Sequence, residues 1–195
     1  MFDAAPAQRR LVVVFLSTLC AVLVFSTSAS AQQELFFEET AEAFWQVPHQ
    51  CESGAIVQAT LLVRSTRDFS APDRDDPDPT ARVQFLAVCP DGRSFSWAAP
   101  TAPAVITSTE NLKSVTAKGS GTARDNLGGI HQVTFDVAWT GDGPLLVTVN
   151  NPGSMRRQRD GSATGQVTFD GKVIVKGAAN HPTRPRPFIR VDTER

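Results

Sequence analysis

Hydrophobic and polar residues alternate along much of the chain. The segment 133–139 reads VTFDVAW, with Val, Phe, Val and Trp at every second position, and segments 55–63 and 83–89 alternate in the same way. A period of two places one face of a strand against a core and the other in water. We therefore predict β-strands at these three segments, with weaker candidates at 115–122 and 188–191.

Turn residues separate the predicted strands. Asp170-Gly171 lies between the β-rich segments 165–169 and 172–175, and it supplies the positive φ angles that a two-residue type I′ hairpin requires. Pro90-Asp91-Gly92 predicts a second hairpin that joins 83–89 to the strand around Phe95 and Trp97. The cluster 140–144 predicts a third, between 133–139 and 145–149.

Turn signals recur at roughly 8- to 15-residue intervals, without a fixed repeat. This spacing predicts an all-β fold, an antiparallel β-sandwich or barrel of about eight to ten strands. Segment 34–45 is the exception, because it combines several good helix formers with an apolar pattern that fits either period. We predict a short helix or an edge segment there.

The N-terminal residues have the pattern of an export signal. Arg9 and Arg10 precede a 15-residue apolar run, residues 11–25, and Ala29-Ser30-Ala31 follows it. A bilayer-spanning helix needs about 20 apolar residues. We predict a signal peptide over residues 1–31, a single all-β domain over 32–195, and a secreted or periplasmic location. An uncleaved anchor is the alternative.

The mature part holds two cysteines, Cys51 and Cys89. An even count in an oxidising compartment predicts a disulfide between them, with two buried free thiols as the alternative. There is no C-x-x-C and no paired histidine, so zinc is not expected.

Two segments interrupt the strand pattern. Segment 68–80 (DFSAPDRDDPDPT) is acidic and rich in proline, which predicts an exposed loop. Its four clustered aspartates, Asp73, Asp75, Asp76 and Asp78, raise calcium binding as an alternative, but the Gly and Glu of an EF-hand loop are missing. Segment 180–187 has Pro at 182, 185 and 187, which predicts an extended stretch without strand pairing.

Composition excludes several classes of protein. Hydrophobic residues make up 41% and charged residues 20%, values typical of a globular domain. The formal net charge of −1 provides no electrostatic basis for nucleic-acid binding.

No catalytic motif is present in the mature chain. G-x-S-x-G and H-E-x-x-H are absent, and the three histidines, His49, His131 and His181, are far apart in sequence. His131 begins a predicted strand, so it is either a general base or a polar residue at a strand entrance. We assign no catalytic residue, no metal ligand and no cofactor.

Two further groups of residues have alternative interpretations. Arg156, Arg157 and Arg159, with a second group at 184–190, form either an anion or polysaccharide patch or a charged edge strand. Trp97 and Trp139 are in phase with the apolar faces of their strands, which favours core packing over a sugar-stacking platform that would include Trp45.

Residues 139–145 (WTGDGPL), followed by Arg156-Arg157 and by 163–167 (ATGQV), carry a resemblance. Residues 130–175 resemble part of a group of secreted bacterial all-β proteins of uncharacterised function. The resemblance implies a β fold and export from a bacterial cell, and it implies no activity.

A well-patterned β scaffold without a catalytic motif predicts an exported, non-catalytic domain. We expect an extracytoplasmic binding or surface-associated protein whose ligand or protein partner is unknown, with no nucleic-acid partner and no membrane span after signal cleavage. One alternative is a barrel-type carrier of a small apolar ligand. The other is a secreted hydrolase, which would need a cleft containing a carboxylate or histidine of perturbed pKa.

Overall fold

The structure is a computed structural model that describes residues 35–68, 79–151 and 153–194. Within these ranges, eleven strands form a single antiparallel sheet that curls into a half-barrel. The strands are β1 (Leu35–Gln50), β2 (Ile56–Asp68), β3 (Thr80–Val88), β4 (Ser94–Ser108), β5 (Ser114–Asp125), β6 (Ile130–Thr140), β7 (Leu146–Asn151), β8 (Ser154–Asp160), β9 (Ser162–Phe169), β10 (Lys172–Ala178) and β11 (Phe188–Glu194). A 3₁₀ turn at Glu110–Leu112 precedes β5.

The predicted all-β, antiparallel class is confirmed, with two corrections. The described residues contain eleven strands instead of about eight to ten, and these strands form one sheet curled into a half-barrel, which is neither of the two predicted forms, a sandwich of two sheets or a closed barrel. A strongly twisted sheet of this width can cover its own apolar face by curling, so a second sheet is not needed.

The strand order is β10-β9-β6-β5-β4-β3-β2-β1-β11-β8-β7. Each of β1 to β6 therefore pairs with its neighbour in sequence, as hairpins do. The curl brings β10 beside β1, where Trp45 Nε1 donates a hydrogen bond to the Gly177 carbonyl at 3.2 Å. The amide of Gln46 donates to Asn180 Oδ1 at 3.0 Å, just beyond the end of β10.

Segment 34–45 is neither a helix nor an edge segment. It belongs to β1, which pairs with β2 along 38–50 and with β11 along 35–42, so it lies inside the sheet. Ala41, Ala43, Trp45 and Val47 alternate into the interior and are almost fully buried. Helix propensity is a weak preference, and pairing on both sides with burial of every second residue overrides it.

Two of the three predicted hairpins form as expected. Strands β3 and β4 pair around residues 89–93, and β9 and β10 pair around Asp170-Gly171. Asp170 has φ 49° and Gly171 has φ 76°, which are the positive angles that the Asp-Gly signal predicts.

The hairpin predicted between 133–139 and 145–149 is wrong. Strand β6 lies between β5 and β9, and β7 pairs with β8. The segment between β6 and β7 does not form a hairpin turn, because its amides bind other parts of the chain. Gly141 N donates to the Lys113 carbonyl at 2.8 Å, and Gly143 N donates to the Asp160 carbonyl at 2.9 Å.

The concave face of the sheet holds the hydrophobic core. Trp45, Trp97 and Trp139 are all buried there, as core packing predicts. Alanine, valine and phenylalanine side chains from β1 to β6, β9 and β11 fill the space around them.

The proline-rich segment 180–187 contains no strand, as predicted. It covers the outer face of β1 and β2, where His181 Nε2 lies 2.9 Å from Thr60 Oγ1 and the Arg184 guanidinium lies 5.6 Å from the centre of the Phe44 ring. Burial lowers the pKa of His181, and the charge of Arg184 acts in the same direction.

Two predicted segments fall outside the described residues. These are the signal peptide, residues 1–31, and residues 69–78 of the acidic loop, which include all four clustered aspartates. The described chain places Asp68 at the end of β2 and Thr80 at the start of β3, so both limits of that loop belong to strands.

Candidate functional site

Four tight turns meet at one end of the sheet, which we call the disulfide end. They join β1 to β2 (51–55), β3 to β4 (89–93), β5 to β6 (126–129) and β9 to β10 (170–171). In this antiparallel sheet β1, β3, β5 and β9 run in the same direction, so the turns that follow them lie at the same end of the sheet. Loops carried on such a rigid sheet are a common location for binding sites.

Cys51 and Cys89, the two cysteines that the sequence analysis pairs, join the first two turns. Their sulfur atoms are 2.04 Å apart and their Cα atoms 6.1 Å apart. Each turn also closes on itself, because Cys51 N donates to the Ala55 carbonyl and Cys89 N donates to the Arg93 carbonyl, both at 2.8 Å. The disulfide therefore links two turns that are each also closed by a backbone hydrogen bond.

A cleft of about 680 Å³ opens beside this disulfide, and we call it the disulfide cleft. Its walls include His49, Cys51, Cys89, Arg93, Phe95 and Leu127. Across its rim, Arg93 Nη1 lies 2.8 Å from Glu52 Oε2. The volume lies within the usual range of small-molecule sites, about 300–1,000 Å³.

The lining of the cleft combines stacked rings with an exposed aliphatic side chain. His49 stacks on Phe95, with ring centroids 5.3 Å apart and an interplanar angle of 2°. Leu127, at the tip of the β5–β6 turn, is 78% exposed. A cleft lined by an exposed leucine and a stacked aromatic pair favours contact with an apolar or aromatic group.

The aromatic pair is the outer end of a longer chain of rings across the disulfide end. The rings follow one another in the order His49, Phe95, Phe85, Trp97, Phe169 and His131. Successive centroids lie 4.4 to 6.2 Å apart, which is the range of favourable aromatic contacts. Because each ring supports the next, the wall of the cleft is anchored in the core.

At the other end of this chain, His131 is held between two carboxylates. Its Nε2 lies 3.0 Å from Asp125 Oδ2, and its Nδ1 lies 2.8 Å from Asp170 Oδ2. Hydrogen bonds to Asp170 and Asp125 raise the pKa of His131. The bond to His131 in turn lowers the pKa of each aspartate.

The backbone fixes both carboxylates in place. Asp125 Oδ1 accepts hydrogen bonds from the amides of Leu127 (2.9 Å) and Gly129 (2.6 Å), and Asp170 Oδ1 accepts one from the amide of Gln132 (2.8 Å). Each carboxylate therefore uses one oxygen for backbone amides and the other for the imidazole.

This arrangement is suited to a structural link and poorly suited to base catalysis. A general base needs a free lone pair directed at a substrate. Both ring nitrogens of His131 face carboxylates, and the raised pKa favours the doubly protonated ring, which has no lone pair to offer. We therefore interpret His131 as a charged link between the β5–β6 and β9–β10 turns.

The other residues singled out in the sequence take structural positions. Strand β8, which carries the 156–159 arginines, lies between β11 and β7 and is not an edge, because β7 covers its free side. Arg156 Nε binds Asp192 Oδ1 at 2.7 Å, and Arg159 donates to the carbonyls of Asn111 and Gly143 at 2.8 and 2.7 Å. These contacts tie the strand to its surroundings.

Within the described ranges, no group of three or more His, Cys, Asp or Glu side chains is placed to hold a metal ion. No helix of this part of the chain is long and apolar enough to cross a membrane.

Comparisons with protein-family models, with curated proteins and with solved structures give no match to this chain.

The sequence predicts the Cys51–Cys89 pair but gives no direct sign of the cleft beside it. Leu127 follows Asp125-Asn126 and precedes Gly128-Gly129, so a turn there could be expected. A large apolar residue at the tip of such a polar turn is the signal that could have marked the site.

Proposed function

We propose that this protein is a non-catalytic extracytoplasmic binding protein that takes an apolar or aromatic part of its ligand into the disulfide cleft. The observation that carries the proposal is that the highly exposed Leu127 and a stacked ring pair line the same open cleft of about 680 Å³. The disulfide supports an oxidising location for the protein, because such bonds persist mainly outside the cytosol. The resemblance of residues 130–175 to secreted bacterial β proteins is consistent with this location.

The two alternative functions have less support in the geometry. A carrier would hold its ligand inside the curl, and that space is occupied by the packed core. A hydrolase would need a histidine or carboxylate that is perturbed and also free to act. His131 is perturbed, but both of its nitrogens are engaged.

The test uses anilinonaphthalene sulfonate, an aromatic probe whose fluorescence rises in apolar surroundings. We expect saturable binding to the folded full chain, and about tenfold weaker binding to Leu127→Ser, because that change removes roughly 1.5–3 kcal/mol of apolar contact at most. Val105→Ser is the matched control: Val105 is 71% exposed, and it does not line the cleft.

Equal binding by the two variants would refute the assignment to this cleft, and so would the absence of saturable binding to the wild-type protein. Amide chemical shifts give a second measurement, since the wild-type residues that move on titration should cluster at 49–52, 89–95 and 126–127.

A further inference from the structure

A second cleft opens at the opposite end of the sheet, away from the disulfide. Its volume is about 490 Å³. Glu39 of β1 lines it, and Val191 of β11, Leu112 of the 3₁₀ turn, Leu145 and Arg157 form other parts of the wall. We call it the Glu39 cleft. It shares no lining residue with the disulfide cleft, so it is a separate candidate site.

Glu39 is the unusual group in this cleft, because a charged residue is rarely buried this deeply without full pairing. Only 5% of it is exposed, and its Oε1 has no hydrogen-bond partner among the described residues. A buried acceptor left without a donor costs about 1–3 kcal/mol, more if it is charged. Such a group is either a sustained cost to stability or a contact point for a ligand.

The surroundings of Glu39 indicate which kind of donor is missing. Arg67 Nη1 lies 3.6 Å from Oε2, so one cation already faces the carboxylate. Burial raises the pKa of Glu39, although a hydrogen bond from Ser108 and the charge of Arg67 oppose this shift. Arg157 adds a second positive charge to the wall.

A cationic ligand would approach Oε1 against both arginines. A neutral hydroxyl donor satisfies the oxygen without that repulsion. Leu112, Leu145 and Val191 supply apolar surface, which suits the C–H faces of a sugar ring.

The shape of the cleft is held by the fold. Asn111 and Leu112 adopt φ 61° and 56°, a region that a leucine rarely occupies. Arg159 Nε holds the Asn111 carbonyl at 2.8 Å, and Gly141 packs so closely that a Cβ on it would lie 2.2 Å from the Leu112 carbonyl. Outlying backbone held by its neighbours in this way is common at binding sites.

We propose that the Glu39 cleft binds a neutral polyhydroxyl ligand of about one or two sugar rings, with a ligand hydroxyl donating to Glu39 Oε1. The volume of the cleft and its three apolar side chains indicate the size of the ligand, and the unpartnered oxygen indicates that the ligand carries a hydrogen-bond donor. This proposal is independent of the function proposed for the disulfide cleft.

The binding experiment is an NMR titration of the ¹⁵N-labelled full chain. The probes are glucose, galactose, mannose and cellobiose, with ethylammonium chloride as the cationic comparison. We expect at least one saccharide to move the amides of Thr109, Leu112 and Val191 saturably, and ethylammonium to leave them in place. If no saccharide does so, or if ethylammonium binds there more tightly than every saccharide, the proposal is wrong.

Two substitutions at Glu39 test the contact itself. Glu39→Gln keeps an acceptor oxygen and should retain binding within a few-fold, whereas Glu39→Leu removes it and should weaken binding at least about tenfold. Glu42→Gln, on the same strand and outside the cleft, is the matched control and should bind as the wild type does. Unchanged binding by Glu39→Leu would overturn the proposal.

A measurement on the wild-type protein covers the case in which Glu39→Leu does not fold. Hydroxyl donation to an ionised carboxylate favours the charged form, so a bound saccharide should lower the pKa of Glu39, followed by the ¹³C shift of its carboxyl group. A pKa that stays unchanged or rises at saturating saccharide would overturn the assignment of Oε1 as the contact.

Discussion

Removal of the Cys51–Cys89 disulfide should destabilise the protein by a predictable amount. The bond closes a loop with a sequence separation of 38 residues. By the chain-entropy relation, a loop of this length lowers the entropy of the unfolded chain enough to contribute about 4 kcal/mol at 25 °C. The perturbation is the double substitution Cys51→Ala/Cys89→Ala, which leaves no unpaired thiol.

The structure offers little to replace that link. Each turn keeps its own backbone hydrogen bonds, but those bonds do not join one turn to the other. The Glu52–Arg93 ion pair does join them, and its side chains are 80% and 73% exposed. Exposed pairs contribute about 0–1 kcal/mol, so the disulfide dominates the connection by several-fold.

Equilibrium unfolding in urea, followed by the fluorescence of the three buried tryptophans, measures the effect. We expect the free energy of unfolding to fall by about 4 kcal/mol in the double variant, and by about 1 kcal/mol or less in the control Glu52→Gln. The m-value should rise slightly, because the unfolded chain without the cross-link exposes more surface, or stay constant if that chain expands little. Chemical reduction of the wild type should reproduce the fall.

A loss below about 1 kcal/mol in the double variant would refute this reasoning, because it would show that the unfolded chain gains little freedom when the link is cut. If Glu52→Gln lowered the free energy of unfolding by as much as the double variant does, the reasoning would also be wrong, because the ion pair would then contribute as much as the disulfide. Binding of the aromatic probe should also weaken in the double variant, since two walls of the disulfide cleft are then tied only by exposed contacts.

Three further predictions concern other parts of the sheet. The pKa of His131 is raised above its ordinary value of 6.5, so its contribution to stability is complete below that pH and is lost as the pH rises through the folded-state pKa. The stability difference between wild type and His131→Gln should therefore shrink on the alkaline side, and a pH-independent difference would contradict the charged link. Gly161→Ala should cost about 3 kcal/mol in urea unfolding, because a Cβ there would lie 1.8 Å from the Thr140 carbonyl; an unchanged midpoint would contradict that close approach. Strand β7 pairs only with β8 among the described residues, and Val147 on it is 54% exposed, so Val147→Lys should reduce concentration-dependent association measured by light scattering. Association that is equal in the two proteins would show that this edge is not the contact.

Much of the local structure could be predicted from the order of residues. Alternation located the strands and their inward faces, and Asp170-Gly171 specified its own turn. In strand β1, Glu39 is in phase with the inward residues Ala41 and Ala43, but the pattern of segment 34–45 fitted a helix as well, so the sequence did not identify an inward carboxylate. What the pattern could not show is that this carboxylate lines a cleft, since Leu112, Arg157 and Val191 come from distant segments.

Only the tertiary structure decided which strands pair with each other. Segment 34–45 is ambiguous by itself, and it is a strand because β2 and β11 pair with it on both sides. The link between Asp125, His131 and Asp170 exists because β9 pairs with β6 in the register that sets Phe169 opposite Val133. Side-chain periodicity is a property of a few consecutive residues, whereas pairing is settled by competition among all the strand edges of the chain. The sequence alone therefore determined most of the strand segments and the faces they bury, whereas the assembled sheet made segment 34–45 a strand and determined which side chains meet.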